Sequence, residues 1–207
     1  MLTNYLKIAW RSLWRNKLFS VVNIVGLALS MAVGLELLSE LKATFDTDHF
    51  HPHLNRTVRV LTNTKTPDRT LRWATVPQPM ADQLRHLSTV EAVVEVRQGQ
   101  FMRVLSPLGE VMLGVSFTEP SFFKVFGFSL ETGDATALMR DLNAVFISRK
   151  VVGKLFGTRN PIGQSIQFDG LGRFTVAGII RKPDLPSHLH FDAVFPIQTA
   201  LNAERKG

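Results

Sequence analysis

The chain has 207 residues, 45% of them hydrophobic and 20% charged, which suits one sizeable domain plus an appendage and excludes an intrinsically disordered chain. It contains no cysteine, which excludes a disulfide framework, thiol catalysis and cysteine-ligated metal sites. Its net charge of +7 is uneven, because residues 1–17 hold four basic side chains and no acid, while the remainder holds 20 basic and 17 acidic ones. A basic arm beside an apolar run points to a membrane surface rather than to nucleic acid.

Residues 1–17 predict an interfacial amphipathic helix. Lys7, Arg11 and Arg15 recur every four residues and therefore share one helical face. Another face is apolar and consists of Leu6, Trp10, Leu13 and Trp14. Tryptophans at headgroup depth and cations near lipid phosphates are typical of helices that lie on a membrane, and they disfavour a basic segment without a fixed helix. The expected membrane-interface residues are Lys7, Trp10, Arg11, Trp14, Arg15 and Lys17.

Residues 18–38 form an apolar run of roughly 31 Å as a helix, about the thickness of a bilayer core. A cleavable signal peptide is one alternative, since Ala28 and Ser30 offer small residues, but the basic segment is long and the apolar run continues past that point. A buried helix is disfavoured because residues 21–35 show no amphipathic pattern. We predict a retained transmembrane helix with a cytoplasmic N-terminus, because the basic residues precede the run, while Glu36 lies near its end and Glu40 follows it.

Residues 39–55 read as a polar linker, and residues 56–207 as one domain. Strands are predicted at 56–64 and 71–76, a helix at 77–88, and two or three further strands at 90–97, 100–106 and 110–118. Next come a short helix at 119–128, a strand at 143–149, and a helix that Ser148 caps and Gly157 ends. A hairpin-like pair around Gly170 and Gly172 precedes a last strand and the start of a helix. Interspersed strands and short helices predict an α+β domain.

Three side-chain patterns are of kinds found in functional sites, and each also has a simpler structural interpretation. His49, His51 and His53 alternate, as do His188 and His190, which would be a possible metal geometry on a strand, but Pro52 disrupts a regular strand. Ser148 near Lys150 and Lys154 lacks the S-x-x-K spacing of a nucleophile. The phenylalanines of “PSFFKVFGF” favour a core helix over an exposed contact patch. We therefore expect no catalytic, cofactor-binding or metal-binding residues.

Several stretches together resemble bacterial FtsX-like ABC transporter permeases. The N-terminal block is “KIAWRSLWRNKLFSVVNIVGLALSMAVG” (7–34), followed by “DTDHFHPHLNRTVRV” (46–60). The blocks “PSFFKVFGFSLETGD” (120–134), “NAVFISRKVVGKLFGTRNPIGQSI” (143–166) and “FTVAGIIRKPDLPSHLHFD” (174–192) resemble a MacB-type periplasmic core domain, in the same order. The resemblance implies a mixed α/β periplasmic domain with a β-rich subdomain, anchored in the bacterial inner membrane.

The resemblance also implies a function without catalysis on this chain. A separate cytoplasmic ATPase subunit would use ATP, and no G-x-x-x-x-G-K-[ST] phosphate loop occurs here. The periplasmic domain would couple ATPase-driven motion to a substrate or protein partner in the periplasm, in a homodimer or paired permease. Family members continue with further spans, whereas this sequence stops at Gly207, so we expect a fragment or a truncated relative. The alternative hypothesis is a stand-alone, membrane-anchored binding module, and a periplasmic hydrolase has little support.

Overall fold

The computed structural model describes residues 2–106, 109–181, 183 and 185–205. The chain divides into two compact units, one ending at Thr47 and the other beginning at Asp48.

The first unit consists of two consecutive helices, α1 (Leu2–Arg15) and α2 (Lys17–Asp46). They are separated at Asn16, whose backbone leaves the helical region with φ −113° and ψ 58°. The Ser20 hydroxyl donates a hydrogen bond of 3.1 Å to the carbonyl of Leu13 across this break. That bond satisfies one of the carbonyls that the end of a helix leaves free, and so it stabilises the junction.

The second unit combines short helices with nine strands in its described residues. Its helices are α3 (Pro79–Arg85), α4 (Ser121–Phe126), α5 (Ala137–Arg140), α6 (Arg149–Phe156) and α7 (Ile197–Glu204), and a 3-10 turn covers Leu54–Arg56. Its strands are β1 (Thr62–Lys65), β2 (Thr70–Trp73), β3 (Val96–Ser106), β4 (Gly109–Thr118), β5 (Leu130–Thr132), β6 (Ala144–Ser148), β7 (Ser165–Phe168), β8 (Gly172–Ile180) and β9 (Ala193–Pro196).

Seven of these strands form one mixed sheet in the order β5-β8-β6-β9-β4-β3-β7. Strand β7 also pairs with β8, so the pairings return to the second strand and the sheet closes on itself. The parallel pairs are β4–β9 and β6–β8, and the other pairs are antiparallel. Strands β1 and β2 form a separate antiparallel hairpin.

The central strands are buried on both faces, which explains why they read as continuous apolar runs. On β9, Phe195 belongs to a core cluster that includes side chains of α6 and α7. Its neighbour Val194 points to a second cluster, which includes Phe122 and Phe123 of α4. Within the first cluster, the Phe195 ring lies edge-on to Phe168 and Phe174, with ring centroids 4.8 Å apart in both pairs. Closely packed aromatic rings from β7, β8 and β9 therefore meet in the first cluster and hold these strands together.

The α+β prediction is confirmed, and so is the expected helix at “PSFFKVFGF”. Phe122, Phe123 and Phe128 are buried, as the core interpretation requires. Gly127 ends α4 in the left-handed region at φ 71°, and a side chain there would strike the ring of Pro52. The prediction of a core helix with a glycine stop was therefore correct.

Three local predictions were wrong. Residues 90–95 form no strand, and the ladder begins at Val96 because pairing with β4 decides where β3 starts. The first strand begins at Thr62 rather than residue 56, since residues 54–56 form a 3-10 turn and the strand extends only as far as its pairing with β2. Ser148 occupies the N-cap position of α6, but its side chain makes no capping bond there.

Candidate functional site

The expected membrane-interface residues lie on α1 and at the start of α2. Helix α1 carries Lys7, Trp10, Arg11, Trp14 and Arg15, and α2 begins at Lys17. Both tryptophans are mostly exposed, at 66% and 61%, and their rings lie 6.4 Å apart. The Lys17 ammonium is 5.4 Å from the Trp14 ring centroid, within the range of a cation–π contact.

These contacts leave an aromatic pair and several cations exposed on one helix. Exposed tryptophan is costly in water, yet its amphipathic ring suits the headgroup region of a bilayer. The basic side chains of the same helix can reach lipid phosphates, each contributing about 1 kcal/mol of binding near an anionic surface. The arrangement can therefore bind a membrane surface through both apolar insertion and charge.

Helix α2 is apolar around its whole circumference. Its large hydrophobic side chains are exposed from Leu18 to Phe45. By length and composition this helix is able to cross a membrane, and among the described residues it is the single candidate for a span. The hydroxyls of Ser30 and Thr44 donate to the carbonyls four residues earlier, Gly26 and Glu40, at 2.9 Å each. Within the apolar run, the Ser30 bond satisfies that hydroxyl inside the helix, as a hydrocarbon environment demands.

The helix continues beyond the run predicted as the span. Residues 39–46, which the sequence analysis assigned to a linker, belong to α2 up to Asp46. The segment “SELKAT” consists largely of good helix formers, which accounts for the continuation. Glu36 and Glu40 lie within the helix and do not end it.

We expect the basic residues of α1 to dominate its affinity for anionic membranes. A synthetic peptide of residues 1–17 carrying Lys7→Gln, Arg11→Gln and Arg15→Gln should bind anionic vesicles about 100-fold more weakly, since each cation contributes about 1 kcal/mol. Vesicle co-sedimentation measures this, with Ser12→Ala as the matched control. Equal binding of the charged and neutralised peptides would refute the expectation.

In the second unit, a polar cluster forms around Asp48. The carboxylate accepts hydrogen bonds from the Ser187 hydroxyl (2.6 Å) and from the His188 backbone N–H (3.1 Å). It also lies 3.0 Å from His51 Nε2 and 2.5 Å from His188 Nδ1. The Asp48 backbone N–H donates to the carbonyl of Pro186 at 2.9 Å, so two distant segments are joined here by main chain and side chain alike.

Asp48 adopts a backbone conformation that few non-glycine residues accept, with φ 66°. Short polar residues tolerate this left-handed region best, because their side chains can bond locally. The turn directs the carboxylate toward His51, three residues later, and toward the loop at Ser187 and His188. The strain is therefore offset by the contacts that it makes possible.

His51 is the buried member of the cluster. It is 7% exposed and lies among the rings of Phe50, Phe126 and Phe128, with centroid distances of 4.4–6.0 Å. Its Nδ1 is 2.5 Å from the carbonyl oxygen of Phe126. Because a carbonyl only accepts, this nitrogen carries the proton, and the ring is fixed with Nε2 directed at Asp48.

The surroundings of Asp48 shift the pKa of its carboxyl group. Burial by itself would raise the pKa of Asp48, but hydrogen bonds from the Ser187 hydroxyl and from the His188 side chain and backbone, together with the charge of His188, lower the pKa below its ordinary value. The group is therefore a carboxylate near neutral pH.

This lowered pKa predicts an acid-sensitive contribution to stability. A depressed folded-state pKa adds stability that is present above the unfolded pKa of about 3.9 and is lost as the pH falls through the lower folded value. Asp48→Asn should reduce the free energy of unfolding by on the order of 2 kcal/mol at pH 7, and the difference from wild type should shrink below about pH 4. Urea unfolding in mild detergent from pH 3 to 7 measures it. A difference that does not vary with pH would count against this explanation.

Only one histidine of each sequence motif takes part in the cluster around Asp48. His51 and His188 meet at Asp48, whereas His49, His53 and His190 supply no ligand atom to the cluster. The sequence argued against a regular strand here because of Pro52, and the segment indeed forms turns at residues 47–50 and 52–53. Asp48 was missed as a site residue. The signal available was its place three residues before His51, but its pairing with residue 188 depends on the tertiary fold.

Comparison with known proteins agrees with this architecture. A family model described as the MacB-like periplasmic core domain matches residues 20–207. A domain described as part of a permease protein from Porphyromonas gingivalis superposes with a TM-score of 0.62 at 21% identity, covering 72% of this chain and 65% of that one. The extracellular domain of the noncanonic ABC-type transporter YknZ from Gram-positive bacteria superposes with a TM-score of 0.51 at 18% identity, covering 62% and 66%. The chain thus spans about two thirds of the length of these structures, and at such identities the likeness shows the fold. A search of curated proteins found no match.

Proposed function

The chain belongs to the MacB-like periplasmic core domain family, and from this premise we propose that it acts as a permease-type subunit of a bacterial ABC transporter. One observation supports the proposal most strongly. The family match begins at residue 20, inside the apolar helix α2, and runs through the whole folded domain. Helix and domain are therefore matched as one continuous unit, which is the arrangement expected of a protein anchored beside its extracytoplasmic domain.

We propose the following arrangement in the membrane. Residues 1–17 lie on the cytoplasmic surface and contact lipid, residues 18–38 cross the inner membrane, residues 39–55 connect them, and residues 56–207 form the periplasmic domain. The cations of α1 precede the apolar run, and the positive-inside rule supports this orientation. The interface residues would be Lys7, Trp10, Arg11, Trp14, Arg15 and Lys17.

In this proposal the chain transmits motion and does not catalyse a reaction. A separate cytoplasmic ATPase would use ATP, and helix α2 would link events at the membrane to the domain in the periplasm. A continuous helix of 30 residues suits this role, because it is about 45 Å long and its internal hydrogen bonds keep it stiff. The periplasmic domain would contact a substrate or a protein partner, and two such chains would pair.

Cross-linking at α1 tests the coupling. A photoreactive residue replacing Ser12, which is exposed on α1, should cross-link to an ABC-type ATPase in intact cells, identified by mass spectrometry. The matched control replaces Thr64, which is exposed on β1 in the second unit. An ATPase cross-link from Ser12 and none from Thr64 would support the permease. Failure to cross-link any ATPase from Ser12 would favour a stand-alone anchored binding module.

A further inference from the structure

The cluster around Asp48 has a property that hydrogen bonding between neutral groups does not explain. His51 Nδ1 must carry a proton and donate a hydrogen bond to the Phe126 carbonyl oxygen, 2.5 Å away. In the neutral ring, Nε2 would then carry a lone pair, yet it lies 3.0 Å from Asp48 Oδ1, which also carries lone pairs. Two acceptors at this distance repel each other unless a proton, which makes the ring an imidazolium, or a metal ion lies between them.

A second imidazole completes the arrangement. His188 Nδ1 is 2.5 Å from the other carboxylate oxygen, Oδ2, and the ligand atoms of the three residues all lie within 4.8 Å of one another. Two imidazole nitrogens and a carboxylate are borderline ligands that suit zinc, which commonly binds three protein groups and leaves its fourth position to water. We propose that Asp48, His51 and His188 form a binding site for a divalent transition metal, with zinc the best fit.

The surroundings are organised as metal sites usually are. The Nδ1–H of His51 donates to a backbone carbonyl, which fixes the tautomer and directs Nε2 to the metal position. The Ser187 hydroxyl and the His188 backbone N–H orient the carboxylate in the same way. Burial of His51 among aromatic rings holds one ligand in place, while the side chain of His188 is 48% exposed and leaves a path for entry.

The required adjustment is small. Ligands of tetrahedral zinc lie about 3.3 Å apart, since each bond is about 2.0–2.1 Å. The two nitrogen–carboxylate separations of 3.0 Å and 2.5 Å would therefore widen by less than about 1 Å, and the two ring nitrogens, which lie within 4.8 Å of each other, would approach by at most about 1.5 Å. The metal takes the place of the protons between the two rings and the carboxylate, and these protons leave to solvent. Each ring is then neutral, with its remaining proton on His51 Nδ1 and His188 Nε2.

Zinc titration of the full chain tests the site. The chain is purified in mild detergent without a histidine tag, treated with chelator and desalted, and titrated with zinc sulfate at pH 7.4 by calorimetry. We expect one zinc per chain at micromolar or tighter affinity. His188→Ala should weaken binding by on the order of 100-fold. His190→Ala, which removes an exposed histidine two residues away, should leave the affinity unchanged.

His188 is chosen because its side chain is half exposed, whereas removing His51 leaves a hole in the core. Circular dichroism confirms that the His188→Ala and His190→Ala variants are folded. A second readout is the melting temperature, which zinc should raise in wild type and in His190→Ala but not in His188→Ala. Absence of binding in wild type, or equal binding in wild type and His188→Ala, would overturn the proposal. Neither result depends on the proposed transport function.

Discussion

Replacing Phe195 with alanine is expected to lower the free energy of unfolding by about 3–5 kcal/mol. Phe195 is fully buried on the central strand β9 and contacts three other phenylalanine rings, Phe117, Phe168 and Phe174. The loss combines the removed apolar surface with the cavity left behind, because a closed sheet cannot collapse around the gap. Urea unfolding of the chain in mild detergent, monitored by circular dichroism, measures the change.

Phe101→Ala provides the matched control. Phe101 lies on β3 and is 72% exposed, so its removal should change the free energy of unfolding by less than about 0.5 kcal/mol. If the two variants lost similar stability, the proposed core around Phe195 would be wrong.

Introducing arginines into the middle of α2 should abolish membrane anchoring. Leu27 and Met31 lie four residues apart on one face, and both are exposed hydrophobic residues. Each arginine at the centre of a span costs about 2.5–3.5 kcal/mol of insertion, so Leu27→Arg with Met31→Arg shifts the balance by about 5–7 kcal/mol. We expect the double variant to leave the membrane pellet after alkaline washing.

Leu41→Arg is the corresponding control. It also places arginine on an exposed leucine of α2, but beyond the predicted span, where a long side chain can reach the headgroups. This variant should remain in the pellet. Retention of the double variant in the membrane pellet would contradict the prediction that α2 crosses the bilayer core.

The sequence alone predicted the structure correctly where a local pattern of residues determines it. The apolar run without an amphipathic pattern predicted one long apolar helix, and α2 covers that run. “NAVFISR” predicted a compact strand, and β6 spans Ala144–Ser148. The proline and glycine around “SFFKVF” predicted both ends of α4.

Where contacts between distant segments determine the structure, the sequence alone did not predict it. Val96 starts β3 because its partner Thr118 ends β4, and no local signal marks that register. The capping role of Ser148 was expected from its position alone, yet its hydroxyl makes no such bond. The cluster of Asp48 and His188 joins residues 140 positions apart, so the spacing within either histidine motif could not reveal it.

We propose that α2 crosses the membrane and leaves the folded domain outside the cytoplasm, and labelling of introduced cysteines tests this topology directly. The chain has no cysteine, so single cysteines can be introduced at Asn4 on α1 and at Thr64 on β1, both exposed. A maleimide that cannot cross the inner membrane is added to cells whose outer barrier has been opened. With the proposed topology, we expect labelling of Thr64→Cys in these cells and labelling of Asn4→Cys only after the inner membrane is broken. Labelling of Asn4→Cys with protection of Thr64→Cys would contradict it.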